Sequence, residues 1–258
     1  KGVLMGAADL VPGVSGGTIA LITGIYRELL ESINDFSWEK IKLLKNRRFK
    51  EFWKLINGPF LLSLFTGVFS SILLLSRVLE WLINNEPIAL WSFFLGLLTA
   101  SILYLIKTEF KYTLKSVFFL LSGCAISYLI TQLRIYTNEL PIWYIFIAGF
   151  FGISAMILPG LSGAYILVIM GVYKIILSNV RQAQDLFFNF NQEQFIEVTS
   201  TLSVFILGIF IGVKVFSKLL SWLLNHYHQT TFAFLIGLMI GALSKVWPWK
   251  NKISSLGD

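Results

Sequence analysis

Two short stretches of the chain combine hydroxyl side chains and glycines in a pattern that could bind an anion. The first reads PGVSGGT from Pro12 to Thr18, and the second reads PGLSGA from Pro159 to Ala164. Because proline and glycine interrupt a regular helix, each stretch is expected to end one helix and begin another. The first amide groups of the new helix have no partner within it, and they carry the positive end of its dipole. We therefore predict that a phosphate or a carboxylate binds at these breaks.

The predicted anion site consists of the small and hydroxyl-bearing residues after each break. The phosphate contacts are Ser15, Gly16, Gly17, Thr18, Ser162 and Gly163, and the breaks are Pro12, Gly13, Pro159 and Gly160. Glycines could instead serve only to let membrane helices approach closely, as small residues commonly do. We favour binding because the pattern occurs twice, with matching serine, glycine and tyrosine residues.

Three cations lie in or near apolar stretches and could contact the same anion: Lys214, Lys218 and Arg77. A cation at the centre of a membrane span costs about 2.5 to 3.5 kcal/mol on insertion scales, so each one requires a compensating interaction. Lys214 is the deepest of the three and lies one helical turn from Lys218, on the same helix face. The alternative for Arg77 and Lys218 is that their long side chains reach the membrane surface.

Asp9 is the carboxylate just before the first break, and neither interrupted stretch contains another carboxylate. It could carry a proton or a coupling ion, pair with a lysine, or cap a helix. A metal site is not predicted, because His226 and His228 have no cysteine or acidic residue nearby at ligand spacing. No cofactor is predicted either.

These residues are embedded in a chain of 258 residues that is far more apolar than a soluble domain. The mean hydropathy is +0.74, 56% of the residues are hydrophobic and 14% are charged, whereas about a quarter of the residues of a soluble domain are charged. The net charge is +7, and the basic residues lie mainly in loops. Basic loops are typical topology and lipid-headgroup signals, so nucleic acid is not an expected partner. The sequence predicts an all-α integral membrane protein.

The apolar segments predict a single membrane domain over residues 1–258. The predicted elements are a broken helical hairpin at 1–33, an amphipathic basic helix at 37–56, spans at 59–83, 87–106 and 114–133, a second broken hairpin at 142–178, and spans at 199–224 and 231–247. Each span approaches the roughly 20 residues needed to cross a hydrocarbon core. The basic helix is expected to lie on membrane phospholipids of an anionic leaflet.

The two halves of the chain resemble each other, which indicates a tandem duplication. An ungapped alignment of the interruptions matches Pro12, Ser15, Gly16, Gly24 and Tyr26 with Pro159, Ser162, Gly163, Gly171 and Tyr173. Further on, at a nearly unchanged offset, Gly67, Arg77, Trp81 and Gly96 match Gly208, Lys218, Trp222 and Gly237. Repeat 1 covers about 1–133 and repeat 2 about 141–258. The span at 114–133 has no counterpart in repeat 2, so we expect the natural protein to continue by one more span.

The charge distribution predicts that the two halves insert in opposite directions. Loop 27–54 is rich in lysine and arginine, which favours the cytoplasmic side, and counting spans from it places the acidic loop 181–197 outside. These loops occupy equivalent positions in the two halves, so the repeats are predicted to be inverted, each containing a re-entrant or broken hairpin. Lys245, Lys250 and Lys252 would then lie outside, against the usual tendency.

The stretches GAADLVPGVSGGTIALITGIY and ILPGLSGAYILVIMGVY resemble the bacterial polyprenyl-phosphate transporter family, the PopT-like undecaprenyl-phosphate translocases. The resemblance covers essentially the whole chain. It implies a multi-pass protein of the bacterial plasma membrane that returns undecaprenyl phosphate from the outer to the cytoplasmic leaflet, for reuse in cell-wall synthesis. Two facing hairpins would then give the phosphate head alternating access to the two sides.

Two other functions fit parts of the sequence. Membrane undecaprenyl-pyrophosphate phosphatases also resemble inverted repeats with re-entrant hairpins, but they carry a Pro-Gly-x-Ser-Arg-Ser-Gly sequence, whereas Gly16 and Gly163 follow the serines here. Phosphoryl transfer also needs cations and usually a carboxylate-bound metal. A transporter of a small soluble anion could use the same hairpins. The sequence leaves open the coupling ion and the oligomeric state, including a homo-oligomer.

Overall fold

The protein is a bundle of helices in a computed structural model that describes residues 1–9, 15–36, 38–132, 140–186 and 191–248. Every regular element in those ranges is helical. The helices are α1 (Gly2–Asp9), α2 (Gly16–Ile22), α3 (Tyr26–Asn34), α4 (Trp38–Lys45), α5 (Phe49–Leu55), α6 (Gly58–Asn85), α7 (Pro87–Glu109), α8 (Leu114–Gln132), α9 (Ile142–Ile157), α10 (Gly163–Ile169), α11 (Tyr173–Asp185), α12 (Gln192–His226) and α13 (His228–Ala242), with a 3₁₀ helix at Leu243–Lys245.

Four helices of the described chain are long and apolar enough to cross a membrane: α6 over Gly58–Leu75, α7, α8 over Leu114–Thr131, and α12. Helices α10 and α11 meet at a bend of 108° and would add a fifth crossing if they formed one broken span. Helices α9 and α13 are apolar as well, but shorter. Together these helices confirm the prediction of an all-α, multi-pass membrane protein.

Two of the elements that differ from their predicted bounds do so for local reasons. Helix α12 begins at Gln192 rather than at residue 199, because the Asn191 side chain caps it by accepting hydrogen bonds from two amides of its first turn. The basic stretch at 37–56 forms two helices, α4 and α5, instead of one. Arg47 between them has a positive φ of 56°, and a left-handed residue ends a right-handed helix.

The two broken segments have the same local structure at a constant spacing in the chain. Helices α2 and α10 begin 147 positions apart, as do α3 and α11. The turns that follow α2 and α10 contain Gly24 and Gly171, whose φ angles are 72° and 74°. In both segments the amide after this glycine closes the turn on a carbonyl five residues earlier, at 3.0 Å. Glycine fits here because an L-residue is strained at positive φ.

The same helix crossing also occurs in both halves. Helix α1 crosses α6 at Gly2 and Gly67, and α9 crosses α12 at Gly149 and Gly208. An added Cβ at any of these four glycines would overlap backbone atoms of the facing helix. Small residues therefore bring the backbones together, as is typical of membrane helices. The opposite insertion of the two halves stays a prediction.

The core lies where α2, α7 and α13 meet. Its most deeply buried side chains on α13 are Leu235, Ile236, Leu238 and Met239. Helix α13 packs along α8 on one side and against α7 on another, and α2 contacts α7 and α9. The half-helix α2 therefore lies inside the bundle, with residues 16–21 all buried.

Candidate functional site

The first break leads into α2 through a buried helix cap. Ser15 has extended backbone angles (φ −126°, ψ 134°), and its Oγ accepts a hydrogen bond from the amide of Gly17 at 3.1 Å. A serine in this position satisfies one of the free amides at a helix start. Ser15 and Thr18 are each 1% exposed, so neither side chain faces open solvent or lipid in this conformation.

The carboxylate of Asp9 lies at the start of α2. Its Oδ1 accepts a hydrogen bond from the amide of Gly16 at 2.7 Å, and an added Cβ at Gly16 would come within 2.5 Å of Oδ2. The free amides and the helix dipole stabilise a negative charge in this position. In this conformation the carboxyl group of Asp9 therefore occupies the first amide of α2. The roles that the sequence left open for Asp9 stay predictions.

The two broken segments are in direct contact through described residues that lie far apart in the chain. Thr18 Oγ1 accepts a hydrogen bond from the amide of Gly160 at 3.0 Å, and the Tyr26 hydroxyl donates one to the carbonyl of Ile157, also at 3.0 Å. An unpaired backbone group inside a membrane costs several kcal/mol. These side chains of the first segment therefore stabilise the irregular backbone of the second.

Ser15 and Gly17 complete this contact. Ser15 Oγ donates to the carbonyls of Met156 at 3.1 Å and Leu158 at 3.3 Å. Gly17 approaches so closely that an added Cβ would come within 2.5 Å of the Ile157 carbonyl oxygen. Residues that the sequence predicts to hold phosphate thus hold the other break in this conformation, because a hydroxyl can bond to a backbone carbonyl as well as to a phosphate.

The second break is wedged against α13 at Gly160. This glycine has a φ of 83°, and an added Cβ would lie 2.8 Å from both the Cα and the amide nitrogen of Met239. Pro159 before it is buried. The break is therefore fixed between the first segment on one side and the backbone of α13 on another.

The start of α10 is less enclosed than the start of α2. Ser162 has extended backbone angles, but its side chain makes no capping hydrogen bond and is only half-buried. The position equivalent to Asp9 is Met156, which is 41% exposed. Within the described ranges, α10 therefore lacks the carboxylate that α2 has.

Lys214 bonds to the end of α3. Its Nζ donates hydrogen bonds to the carbonyls of Ile33 at 3.0 Å and Asn34 at 2.9 Å. These carbonyls belong to the last turn of α3, which carries the negative end of its dipole. Ser217, one turn further along α12, donates to Oδ1 of Asn34 at 2.8 Å. This polar cluster fastens α3 to α12.

This cluster was not among the residues predicted from the sequence, although the sequence contains a signal for it. Lys214, Ser217 and Ser221 recur at helical spacing on an otherwise apolar span, and Ser221 Oγ accepts a hydrogen bond from Asn34 Nδ2 at 2.9 Å. Lys218 is exposed. Two residues of the first break, Pro12 and Gly13, and the side chain of Arg77 lie outside what the structure describes.

Two clefts border α11. An apolar groove of about 390 Å³ lies between α11 and α12 and is lined mainly by Leu186, Phe195, Val198 and Leu202. A second cleft, of about 270 Å³, is lined by Lys174, Leu177, Ser178, Arg181 and Gln182. One helix therefore carries a basic cleft and borders an apolar groove.

One of the two histidines, His228, lies near an acidic residue. His228 Nε2 is 3.9 Å from Glu109 Oε2, beside a polar cleft of about 260 Å³ that Arg27 also lines. Among the residues placed by the structure, no three histidine, cysteine, aspartate or glutamate side chains form a group that could hold a metal ion.

Known proteins are similar in sequence to this chain over nearly its full length. A family model described as undecaprenyl phosphate translocase-like matches residues 5–258. A Vibrio cholerae protein named polyprenyl-phosphate transporter is 41% identical over 254 residues, which cover 98% of this chain and 78% of that protein. A Staphylococcus aureus protein of the same name is 33% identical over 261 residues, covering 96% of this chain and 84% of that protein. No solved structure matches. The chain belongs to the undecaprenyl phosphate translocase-like family.

Proposed function

We propose that this protein transports polyprenyl phosphate, and that it returns undecaprenyl phosphate from the outer to the cytoplasmic leaflet of the bacterial plasma membrane for reuse in cell-wall synthesis. Family membership and the names of two relatives support a transporter rather than an enzyme. The observation that carries the proposal is the contact between two broken segments inside an apolar bundle, joined by the hydrogen bond from Gly160 to Thr18. Transporters commonly bind ionic substrates where half-helices meet.

The phosphate head binds first at the start of α10. Ser162 offers a hydroxyl that is not used as a helix cap, and the amides that follow it, from Gly163 onward, carry the positive end of the half-helix dipole. Met156 leaves this end of α10 without the carboxylate that Asp9 supplies to α2. Among the described residues, an incoming phosphate therefore meets no carboxylate in the position that Asp9 occupies at α2.

The start of α2 accepts the phosphate only after Asp9 has left it. Two anions cannot share the same amides, because like charges at short range repel strongly. As the contacts between the breaks loosen, Ser15, Gly16, Gly17 and Thr18 become available to the phosphate. Asp9 takes up a proton or pairs with a coupling ion as it leaves, which links movement of the lipid head to that ion. Passage of the head from one half-helix to the other gives alternating access.

The remaining cations act on the path of the phosphate. Lys214 reaches the head only when α3 separates from α12, since its ammonium group is held by carbonyls of α3. Lys218, one turn away and exposed, and its repeat counterpart Arg77 attract the head to the entrances. The cluster at Lys214 therefore couples the position of α3 to substrate passage.

The clefts along α11 suit the two parts of the lipid. A polyprenyl phosphate has an anionic head and a long apolar tail. The cleft containing Lys174 and Arg181 offers two cations and a hydroxyl to the head, and the groove containing Phe195 and Leu202 offers apolar surface to the first isoprene units. The rest of the tail stays in the bilayer.

A leaflet-exchange assay tests this function. Purified protein is reconstituted into liposomes with undecaprenyl phosphate, undecaprenyl pyrophosphate or inorganic phosphate, and the outer pool of each lipid is followed with a membrane-impermeant probe. We expect exchange of undecaprenyl phosphate, no uptake of inorganic phosphate and no hydrolysis of the pyrophosphate. Uptake of inorganic phosphate without lipid exchange would establish a soluble-anion transporter instead, and phosphate release from the pyrophosphate would establish a phosphatase.

A further inference from the structure

Among the described residues, one face of α7 is open at a glycine. No atom of those residues lies within 4 Å of a Cβ added at Gly96, and Phe93, one turn earlier, is 64% exposed. The opposite face of the same helix is buried in the core through residues such as Phe94 and Leu98. The part of the chain that the structure describes therefore covers α7 on one side only.

The equivalent face of the second half is covered by a helix. An added Cβ at Gly237 of α13 would overlap the carbonyl oxygen of Leu120 in α8, and one at Gly241 would lie 2.5 Å from the carbonyl oxygen of Cys124. In return, an added Cβ at Gly123 of α8 would overlap a carbonyl oxygen of α13. Small residues on both helices thus make a close crossing.

The two faces correspond residue by residue. The stretch WSFFLGLLTA at 91–100 of α7 aligns without gaps with FAFLIGLMIG at 232–241 of α13. The alignment matches Gly96 with Gly237, and it matches Ala100 with Gly241. The small residues that receive α8 in the second half therefore have small counterparts on the open face of α7.

We propose that this face of α7 is the docking surface for an apolar helix of the same polypeptide that lies outside residues 1–258. This helix is the repeat counterpart of α8 and packs on Gly96 and Ala100 as α8 packs on α13. The two relatives are long enough to contain such a helix, because the match to nearly all of this chain covers only 78% and 84% of their lengths. A second copy of the protein is a less suitable occupant, since the equivalent contact is made within one chain.

Spin labels on two phenylalanine positions test this proposal in the protein of natural length. Phe93→Cys and Phe69→Cys are each made in a background without other cysteines, which includes Cys124→Ala, and labelled with a nitroxide. Phe69 on α6 is a matched control, because it is 63% exposed and its counterpart Phe210 is 66% exposed, so that position faces outward in both halves. We expect oxygen to collide with the label at 93 several-fold less often than with the label at 69, in nanodiscs that hold one copy each.

Either of two accessibility results would overturn the proposal. Equal oxygen accessibility at both positions would mean that lipid covers the face, and protection that is lost at one copy per nanodisc would mean that a second copy covers it. Two variants without a label show whether the nitroxide itself disturbs the packing. Gly96→Leu should lower the melting temperature of the natural-length protein. Thr66→Leu on α6 should not lower it, because its counterpart Leu207 is already an exposed leucine. Unchanged melting temperatures for both variants would also contradict docking.

Discussion

Gly160 is the residue at which the second break depends most strictly on the absence of a side chain. Its φ of 83° disfavours an L-residue, and the backbone of Met239 fills the space where a Cβ would lie. Gly24 has a similar φ of 72°, but an added Cβ there would meet nothing within 4 Å. A comparison of the two glycines therefore distinguishes the effect of backbone strain from the effect of crowding.

We expect Gly160→Ala to lower the free energy of unfolding by roughly 2–5 kcal/mol, from about 1–2 kcal/mol of left-handed strain and about 1–3 kcal/mol of overpacking. Gly24→Ala should lower the free energy of unfolding only by the strain contribution, about 1–2 kcal/mol. Unfolding of the purified protein by a denaturing detergent measures both changes. Equal losses in the two variants would mean that close packing of the break on α13 contributes little to stability.

The residue types at the breaks could be predicted from the sequence, but their partners could not. The sequence points to Ser15 and Thr18 as contacts of a ligand, and in this conformation each bonds to a backbone group more than 140 residues away. A hydroxyl can form a hydrogen bond with a carbonyl, an amide or a phosphate. The presence of a serine or threonine therefore does not show which of these groups is its partner. The contact of Asp9 with Gly16 was easier to anticipate, since it is local and acidic residues favour helix starts.

At the scale of elements, the hydrogen bond from the second break to α2 couples two segments. We expect Thr18→Val to lower the free energy of unfolding by about 1–3 kcal/mol, because the buried amide of Gly160 loses its acceptor. Thr23→Val is the matched control, since the Thr23 hydroxyl donates to the Ile19 carbonyl within its own helix at 2.7 Å. That change should cost about 1 kcal/mol or less.

Hydrogen exchange at Gly160 provides a second measurement for this pair. Thr18→Val should speed exchange of the Gly160 amide, and Thr23→Val should leave it as in the unmodified protein. If both variants lose the same stability and Gly160 stays equally protected, the bond from Thr18 does not couple the two segments.

The elements themselves were predictable where composition changes sharply. Helices α6 and α7 begin within one residue of their predicted starts, because Pro59 and Pro87 mark their first turns. The break between α4 and α5 could not be predicted, since neither proline nor glycine marks Arg47. The shared turns at Gly24 and Gly171 follow the aligned sequences, because each needs a glycine at positive φ.

At the scale of the whole molecule, opposite insertion of the halves predicts that equivalent loops face opposite sides. Lys45→Cys and Asp185→Cys place single thiols at exposed positions in the basic and acidic loops, in a Cys124→Ala background. In intact cells an impermeant maleimide should label position 185 and not position 45, and after permeabilisation it should label both. Labelling of both positions, or of neither, in intact cells would contradict an inverted repeat. The prediction depends on loop charge, because lysine and arginine favour the cytoplasmic side.

The central claim is that the phosphate head of a polyprenyl lipid binds at the start of α10, where the two breaks meet. Met156→Asp tests it most directly, because a carboxylate at this position can occupy the Gly163 amide as Asp9 occupies that of Gly16 at 2.7 Å. Met156→Leu controls for the lost methionine. In the liposome assay, leaflet exchange of undecaprenyl phosphate should fall by about tenfold or more in Met156→Asp, equivalent to roughly 1.4 kcal/mol, and stay unchanged in Met156→Leu. Exchange at the unmodified rate by a correctly folded Met156→Asp protein would contradict the claim.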